Sequence, residues 1–162
     1  MNSLSILAEP AAARLVSRRE TIAVAESAAG GLISAALLAV PGASAYFVGG
    51  GVIYTASARE RLLVVAKEEM RGLRPATEAY AKLTAHRVRE RLGTILGLAE
   101  TGAAGPTGNR YGDAAGHACI ALAGPLELVI TVETGSAERE DNMWTFARRA
   151  LALLSEALQK TQ

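Results

Sequence analysis

The chain has 162 residues, 50% of them apolar but only 4% aromatic, and its 17 basic and 16 acidic side chains leave a formal net charge of +1. That size predicts one domain, residues 1–162, able to bury roughly two thirds of its unfolded surface. The near-neutral balance gives no electrostatic footprint for a nucleic-acid partner or an anionic membrane surface, and the small aliphatic residues call for helices packed closely on a sheet.

Residues from about 3 to 18 have helical spacing, with Leu4, Leu7, Ala11 and Leu15 on one face. Their sequence lacks a basic start and a long apolar core, so no signal peptide is expected. Every later apolar run is broken before membrane-spanning length, and a cytoplasmic protein is the expectation. TIAVA, Thr21 to Ala25, reads as a short strand running into Glu26-Ser27. From Gly31 the segment GLISAALLAV is helical until Pro41-Gly42 stops it. Tyr46 to Tyr54 reads as a strand, and its three glycines, Gly49 to Gly51, predict a bulge or a close backbone approach.

One helix is expected from about Ser57 to Met70, and another after Pro75 to about Leu92 with Ala76, Ala79, Tyr80 and Leu83 facing the core. Residues near 95 to 100, 115 to 123 and 127 to 133 read as strands, the last two separated by a Gly124-Pro125 turn. A final helix carries the continuous stripe Met143, Phe146, Ala147, Ala150, Leu151, Leu154, Ala157 and Leu158, wide enough to reach beyond one core. The element order is α/β. The clustered Arg59, Arg61, Arg87, Arg89 and Arg91 are interleaved with acidic residues and read as a solvated face.

Ligands of open α/β sheets bind where strands end in loops, and two glycine-rich loops stand at such ends: AESAAGG, Ala25 to Gly31, and TGAAGPTGNRYG, Thr101 to Gly112. A helix opening just after Ser27 would present free amides and a positive dipole end to an anion or a developing oxyanion. Ser27 suits an N-cap as well as a nucleophile, and spacing leaves both open. The second loop matches neither a P-loop nor GxGxxG. Cys119 is the single cysteine, which excludes an internal disulfide, and no CxxC or His/Cys cluster suggests zinc. Cys119 and His117 share a strand face, where core packing is the expectation for the thiol; His86 is expected to be solvated.

The stretches AESAAGG, PGASAYFVGGGVIYTASAR, TGAAGPTGNRYG and AAGHACIALAG, in that order, resemble the C-terminal domain of the competence/damage-inducible protein CinA, whose stand-alone relatives are nicotinamide mononucleotide (NMN) amidohydrolases. The resemblance runs from about Thr21 to Leu158. It implies a three-layer α/β/α domain with a central mixed sheet, a homo-oligomer, and hydrolysis of the carboxamide of NMN to nicotinic acid mononucleotide and ammonia, without metal or cofactor. Carried over by position, it implies Ser27 as nucleophile with Tyr54 and Arg59 beside it. The substrate, a pyridine mononucleotide or related carboxamide, would be held by Glu26, Gly30, Gly31, Ser44, Thr101, Gly102, Gly105 and Arg139, the last on the phosphate side. The larger N-terminal domain of full-length CinA proteins has no counterpart here, so no activity of that domain is expected.

The departures bear on mechanism. Arg59 stands where the family has the lysine of YxNxxK, Ala56 where it has asparagine, Ala29 where it has the threonine of AESxTGG, and Arg74-Pro75 where it has VS. A desolvated lysine can lose its proton and serve as general base, whereas a guanidinium stays protonated. Two function classes follow: an amidohydrolase with a rearranged site, and a catalytically inactive domain in which Arg59 binds a phosphate or carboxylate.

Overall fold

The computed structural model describes residues 3–161. Five helices are present, α1 (Leu4–Arg18), α2 (Leu32–Leu38), α3 (Ala56–Leu62), α4 (Glu78–Leu92) and α5 (Arg139–Lys160), with five strands, β1 (Ile22–Glu26), β2 (Phe47–Val52), β3 (Leu96–Ala103), β4 (His117–Ala123) and β5 (Leu128–Glu133). The strands form one mixed sheet in the order β2-β1-β3-β4-β5. The β2-β1-β3 half is parallel, and β4 and β5 join it antiparallel. None of the helices is long and apolar enough to cross a membrane among the described residues.

Side-chain alternation along each strand divides the interior between two cores. Ile22, Val24, Leu98, Ile120 and Leu122 point to the face covered by α1, α2 and α5, and Ala23, Ala25, Ala99, Cys119 and Ala121 to the face covered by α4. The second face is built of small residues because α4 lies almost on the sheet. A Cβ on Gly97 would sit 2.1 Å from the Ala85 carbonyl oxygen. The α/β/α layering thus follows directly from a chain rich in alanine and glycine. On the first face the whole apolar stripe of α5, Phe146 to Leu158, is buried inside this chain's own core, with Met143 half-buried beside it, so the stripe does not reach beyond one core.

Two expectations change in part, and a third is met. The helix expected over Ser57 to Met70 breaks after Leu62: Val64 takes a left-handed φ of +55°, and a 3₁₀ turn follows at Lys67–Met70. A continuing helix would set Leu63 and Val65 about 200° apart, whereas the break buries both in the second core. Of the residues expected to face the core around α4, Ala76 and Tyr80 are buried and Leu83 packs half-buried on the second core, but Ala79 is exposed, and Ala81, Thr84, Ala85 and Val88 complete the buried face. Thr77 sets that phase by capping the helix, its hydroxyl accepting the Tyr80 amide at 3.2 Å. Finally, the register between β1 and β2 slips after Ile22, and Gly50 approaches so closely that a Cβ would lie 2.5 Å from the Val24 carbonyl oxygen. This is the bulge and close approach that the three glycines predict, and β2 is an edge strand as a result of the sheet order.

Candidate functional site

At the carboxyl ends of β1, β2 and β3 a cleft of about 720 Å³ opens on the α3 and α4 side of the sheet, bordered by Ser27, Tyr54, Arg59, Tyr80, Thr101 and Gly102. The loop from Ala103 to Gly112 extends the far wall with Asn109, Arg110 and Tyr111. Beside it lies a smaller hollow of about 230 Å³, where Tyr54, Gly102, Gly105, Thr107, Gly108 and Arg139 meet.

Ser27 borders the cleft but is not the cap of α2. That helix begins only at Leu32, after a turn in which Gly30 and Gly31 take φ values of +68° and +102°. Its free amides are satisfied instead by the buried Glu26 carboxylate, which accepts from Gly31 (3.1 Å), Ile33 (2.9 Å) and Ser34 (2.8 Å). A second buried carboxylate, Glu100 on β3, accepts the amides of Ser27 (3.0 Å) and Ala29 (2.8 Å). The expectation of amides free for an anion is therefore not met, because two internal acids already occupy them. Glu26, Gly30 and Gly31 do not border the cleft; they shape and fix the turn that carries Ser27.

Glu100 is only 2% exposed, and its Oε1 has no hydrogen-bond partner among the described residues. Burial pushes its pKa up to about 7, the amides of Ala29 and Ser27 opposing the shift and the neighbouring Glu26 charge adding to it. The turn beneath Ser27 thus holds a carboxyl group that changes charge near neutral pH. The Ser27 hydroxyl itself has no hydrogen-bond partner among the described residues, and no Asp, Glu, Lys or His lines the cleft to take its proton.

Arg59 is the opposite case. Helix α3 begins at the Thr55 cap, which accepts the Ala58 amide at 3.1 Å, and this start carries Arg59 inward. The residue is 9% exposed, its Nε is buried without an acceptor, and its guanidinium carbon lies 6.0 Å from the centre of the Tyr80 ring. No carboxylate pairs with it among the described residues. Burial raises the Tyr80 phenol pKa, and Arg59 opposes that shift.

The remaining candidates divide between the two hollows. Thr101 is buried, and its hydroxyl accepts the Ala76 amide at 3.0 Å, fixing a residue whose φ is +60°. Gly102 admits β4 at close range, since a Cβ there would meet the His117 carbonyl oxygen at 2.3 Å. Tyr54 is 61% exposed and stands between cleft and hollow, its hydroxyl accepting from Arg139 Nη2 at 3.1 Å; Arg139 also donates to the Gly105 carbonyl. Ser44 is not brought to this place. It sits exposed in a 3₁₀ turn before β2, and that strand spans roughly 20 Å at about 3.3 Å per residue.

Several groups in and beside the cleft escaped the sequence reading. Asp113 grips Arg74 with two bonds of 2.7 and 3.2 Å, and that guanidinium holds the Asp113 pKa down at about 2. Arg74 and Arg110 both lie over the Tyr111 ring, 5.2 and 5.0 Å from its centre. The available signal was the run Asn109-Arg110-Tyr111 inside a loop otherwise made of small residues. His117 and Cys119 belong to the second face and not to the cleft. The thiol is buried in the core as expected, 3.7 Å from the Ala76 carbonyl oxygen, which also receives His117 Nε2 at 2.8 Å. His86 is half-buried and paired with Glu127 rather than freely solvated. No cluster of three or more His, Cys, Asp or Glu able to hold a metal occurs among the described residues.

A mixed five-stranded sheet between two helical layers, with a cleft at the ends of its parallel strands, defines an α/β/α domain. The family model of the CinA C-terminal domain matches residues 4–158, and the chain belongs to that family. A CinA-like protein of Gloeobacter violaceus is 43% identical over 121 residues, 75% of this chain and 28% of the relative. A CinA-like protein of an Anaeromyxobacter species is 35% identical over 153 residues, 94% of this chain and 38% of the relative. The chain therefore spans well under half the length of these curated relatives. Among solved structures, the competence damage-inducible protein A (ComA) of Klebsiella pneumoniae superposes with a TM-score of 0.91 at 27% identity, covering 99% of this chain and all of that one (100%). A CinA superfamily protein of Enterobacter cloacae does so with 0.88 at 28% identity, covering 98% and 94%.

Proposed function

We propose that the cleft binds an anionic small molecule of the pyridine mononucleotide class, with Arg59 as the group that fixes it, and that the chain acts as a binding member of its family. The observation that carries this reading is the Arg59 guanidinium, nine-tenths buried and without a protein carboxylate, in the same cleft as Ser27. A buried cation is costly unless paired, and a guanidinium cannot escape that cost by deprotonation. An anionic ligand supplies the missing partner. The test is calorimetric titration with NMN and nicotinic acid mononucleotide: the expectation is saturable binding weakened at least tenfold by Arg59→Met, and no heat with either compound defeats the reading.

Hydrolysis of the NMN carboxamide is the second reading, favoured by the unpartnered Ser27 hydroxyl at the cleft wall. Ser27 Oγ would attack the carboxamide carbon while Arg59 stabilises the developing oxyanion; the hydroxyl proton would pass to the nitrogen, ammonia would leave an acyl ester on Ser27, and water would hydrolyse that ester to the acid and the free serine. The missing base weighs against it, since a positioned base contributes a factor of about 10² to 10⁴. Ammonia release abolished by Ser27→Ala would put this reading first.

A further inference from the structure

Four arginines and no Asp, Glu, Lys or His line the cleft and its side hollow: Arg59, Arg74 and Arg110 in the first, Arg139 in the second. Asp113 answers the charge of Arg74, and Arg110 is exposed at the rim over Tyr111. Besides Arg110, two cations stand without a carboxylate among the described residues, the buried Arg59 on one side of Tyr54 and the exposed Arg139, bonded to its hydroxyl, on the other. Their surroundings differ. Arg59 shares its cleft with the apolar Ile53, Met70 and Leu73 and lies over the Tyr80 ring, a lining that suits an aromatic ring. Arg139 faces the open stretch Gly105, Thr107 and Gly108, a glycine-rich loop with a hydroxyl, which suits a hydrated phosphate.

We propose that Arg59 holds a ring carboxylate of the ligand, with the phosphate on the Arg139 side that the family resemblance implies, so that the cleft selects the acid form of a pyridine mononucleotide over its carboxamide. This inference rests on the ligand class proposed above and goes beyond it. A guanidinium offers only donors. A carboxylate meets it with two accepting oxygens in a bidentate pair, whereas a carboxamide presents one oxygen and one NH₂ group, and the NH₂ would face another donor. The residue that removes the family's base thus turns the recognition of the reacting end around, from the amide that would be consumed to the acid that hydrolysis would yield.

The experiment is calorimetric titration of the intact protein, at one fixed salt concentration, with nicotinic acid mononucleotide, NMN, ribose 5-phosphate and nicotinate. Parallel titrations use Arg59→Gln and Arg139→Gln, and Ser27→Ala guards against conversion of NMN in the cell. The acid mononucleotide is expected to bind about tenfold more tightly than NMN, the margin between a charged and a neutral hydrogen-bonded pair. Arg59→Gln should bring the two within about twofold, while Arg139→Gln weakens both alike and abolishes ribose 5-phosphate binding. Equal affinity for the two mononucleotides would overturn the selectivity while leaving the ligand class in place. A preference that survives Arg59→Gln, or disappears in Arg139→Gln, would overturn the assignment of the two ends. Binding of none of the four would overturn the ligand class and the selectivity together.

Discussion

Buried charges on two sides of the cleft are treated in different ways. On the Ser27 side the carboxylates of Glu26 and Glu100 are surrounded by amides: five backbone N–H groups, those of Ser27, Ala29, Gly31, Ile33 and Ser34, donate to them. On the α3 side the Arg59 guanidinium has no carboxylate partner, and its Nε no acceptor, among the described residues. The difference separates scaffold from recognition. A charge satisfied by its own backbone holds a turn in shape, and one left unsatisfied at a cleft wall is available to a ligand.

The largest effect should come from removing the internal acid. Glu26→Ala would orphan three donors at the start of α2, that of Ile33 buried and those of Gly31 and Ser34 partly buried, in a helix of seven residues that has no side-chain cap. With each orphaned group costing about 1 to 3 kcal/mol, the expected loss is about 4 kcal/mol, seen as a lower denaturant midpoint at unchanged slope. Glu26→Gln keeps an acceptor and should lose less than half of that. A loss below about 1 kcal/mol for Glu26→Ala would show that water replaces the carboxylate, and the contrast between the two walls would collapse.

Glu100 gives the next effect, and its sign is opposite to that of an ordinary paired carboxylate. Its folded pKa is about 7 against a reference of 4.5, so between these values the folded state binds more protons than the unfolded one. Its contribution is fully present below pH 4.5 and is lost as the pH rises through 7, a change of about 3 kcal/mol at 1.36 kcal/mol per pH unit. His117, also raised, slopes the same way, with burial opposing and Glu133 enforcing the shift. The informative quantity is therefore the difference between the natural chain and Glu100→Gln, measured by urea unfolding from pH 5 to 8. A slope that survives the substitution would assign the titration elsewhere.

Much of this was legible in the sequence, for physical reasons that can be named. Each strand was visible because its apolar run is bounded by turn residues, and α5 because its stripe is long and periodic. The two glycine loops were visible because only glycine adopts φ values such as the +102° of Gly31. Other features depended on distant partners. Nothing local in SARERLLVVAKEEM forbids one helix; the break at Val64 follows from burying Leu63 and Val65 against α4. Glu100 looks like any residue of a strand until the turn carrying Ser27 is laid across it from 73 positions away. Asp113 and Arg74 are 39 residues apart, and no spacing rule connects them. Family resemblance located Ser27, Tyr54 and Arg59, but did not tell that Glu26 and Glu100 consume the turn's amides.

Arg59 gives the smallest change in stability and the sharpest form of the contrast. A side chain that stabilises the fold makes it worse when removed; a buried cation without a carboxylate partner should do the reverse. Arg59→Met keeps the apolar stem against Tyr80, removes the charge and should raise stability by about 1 kcal/mol, the low end of what replacing buried ions with packed apolar residues yields. The same substitution should weaken anion binding, so that stability and affinity move in opposite directions, as expected where a strained charge is kept for recognition. Glu26→Ala offers no such trade, because its carboxylate serves only the turn. If Arg59→Met instead destabilised the fold by more than about 1 kcal/mol, the guanidinium would be a structural member of the core, Tyr80 and the carbonyls near it would be its true partners, and the cation in the cleft would no longer point to a ligand.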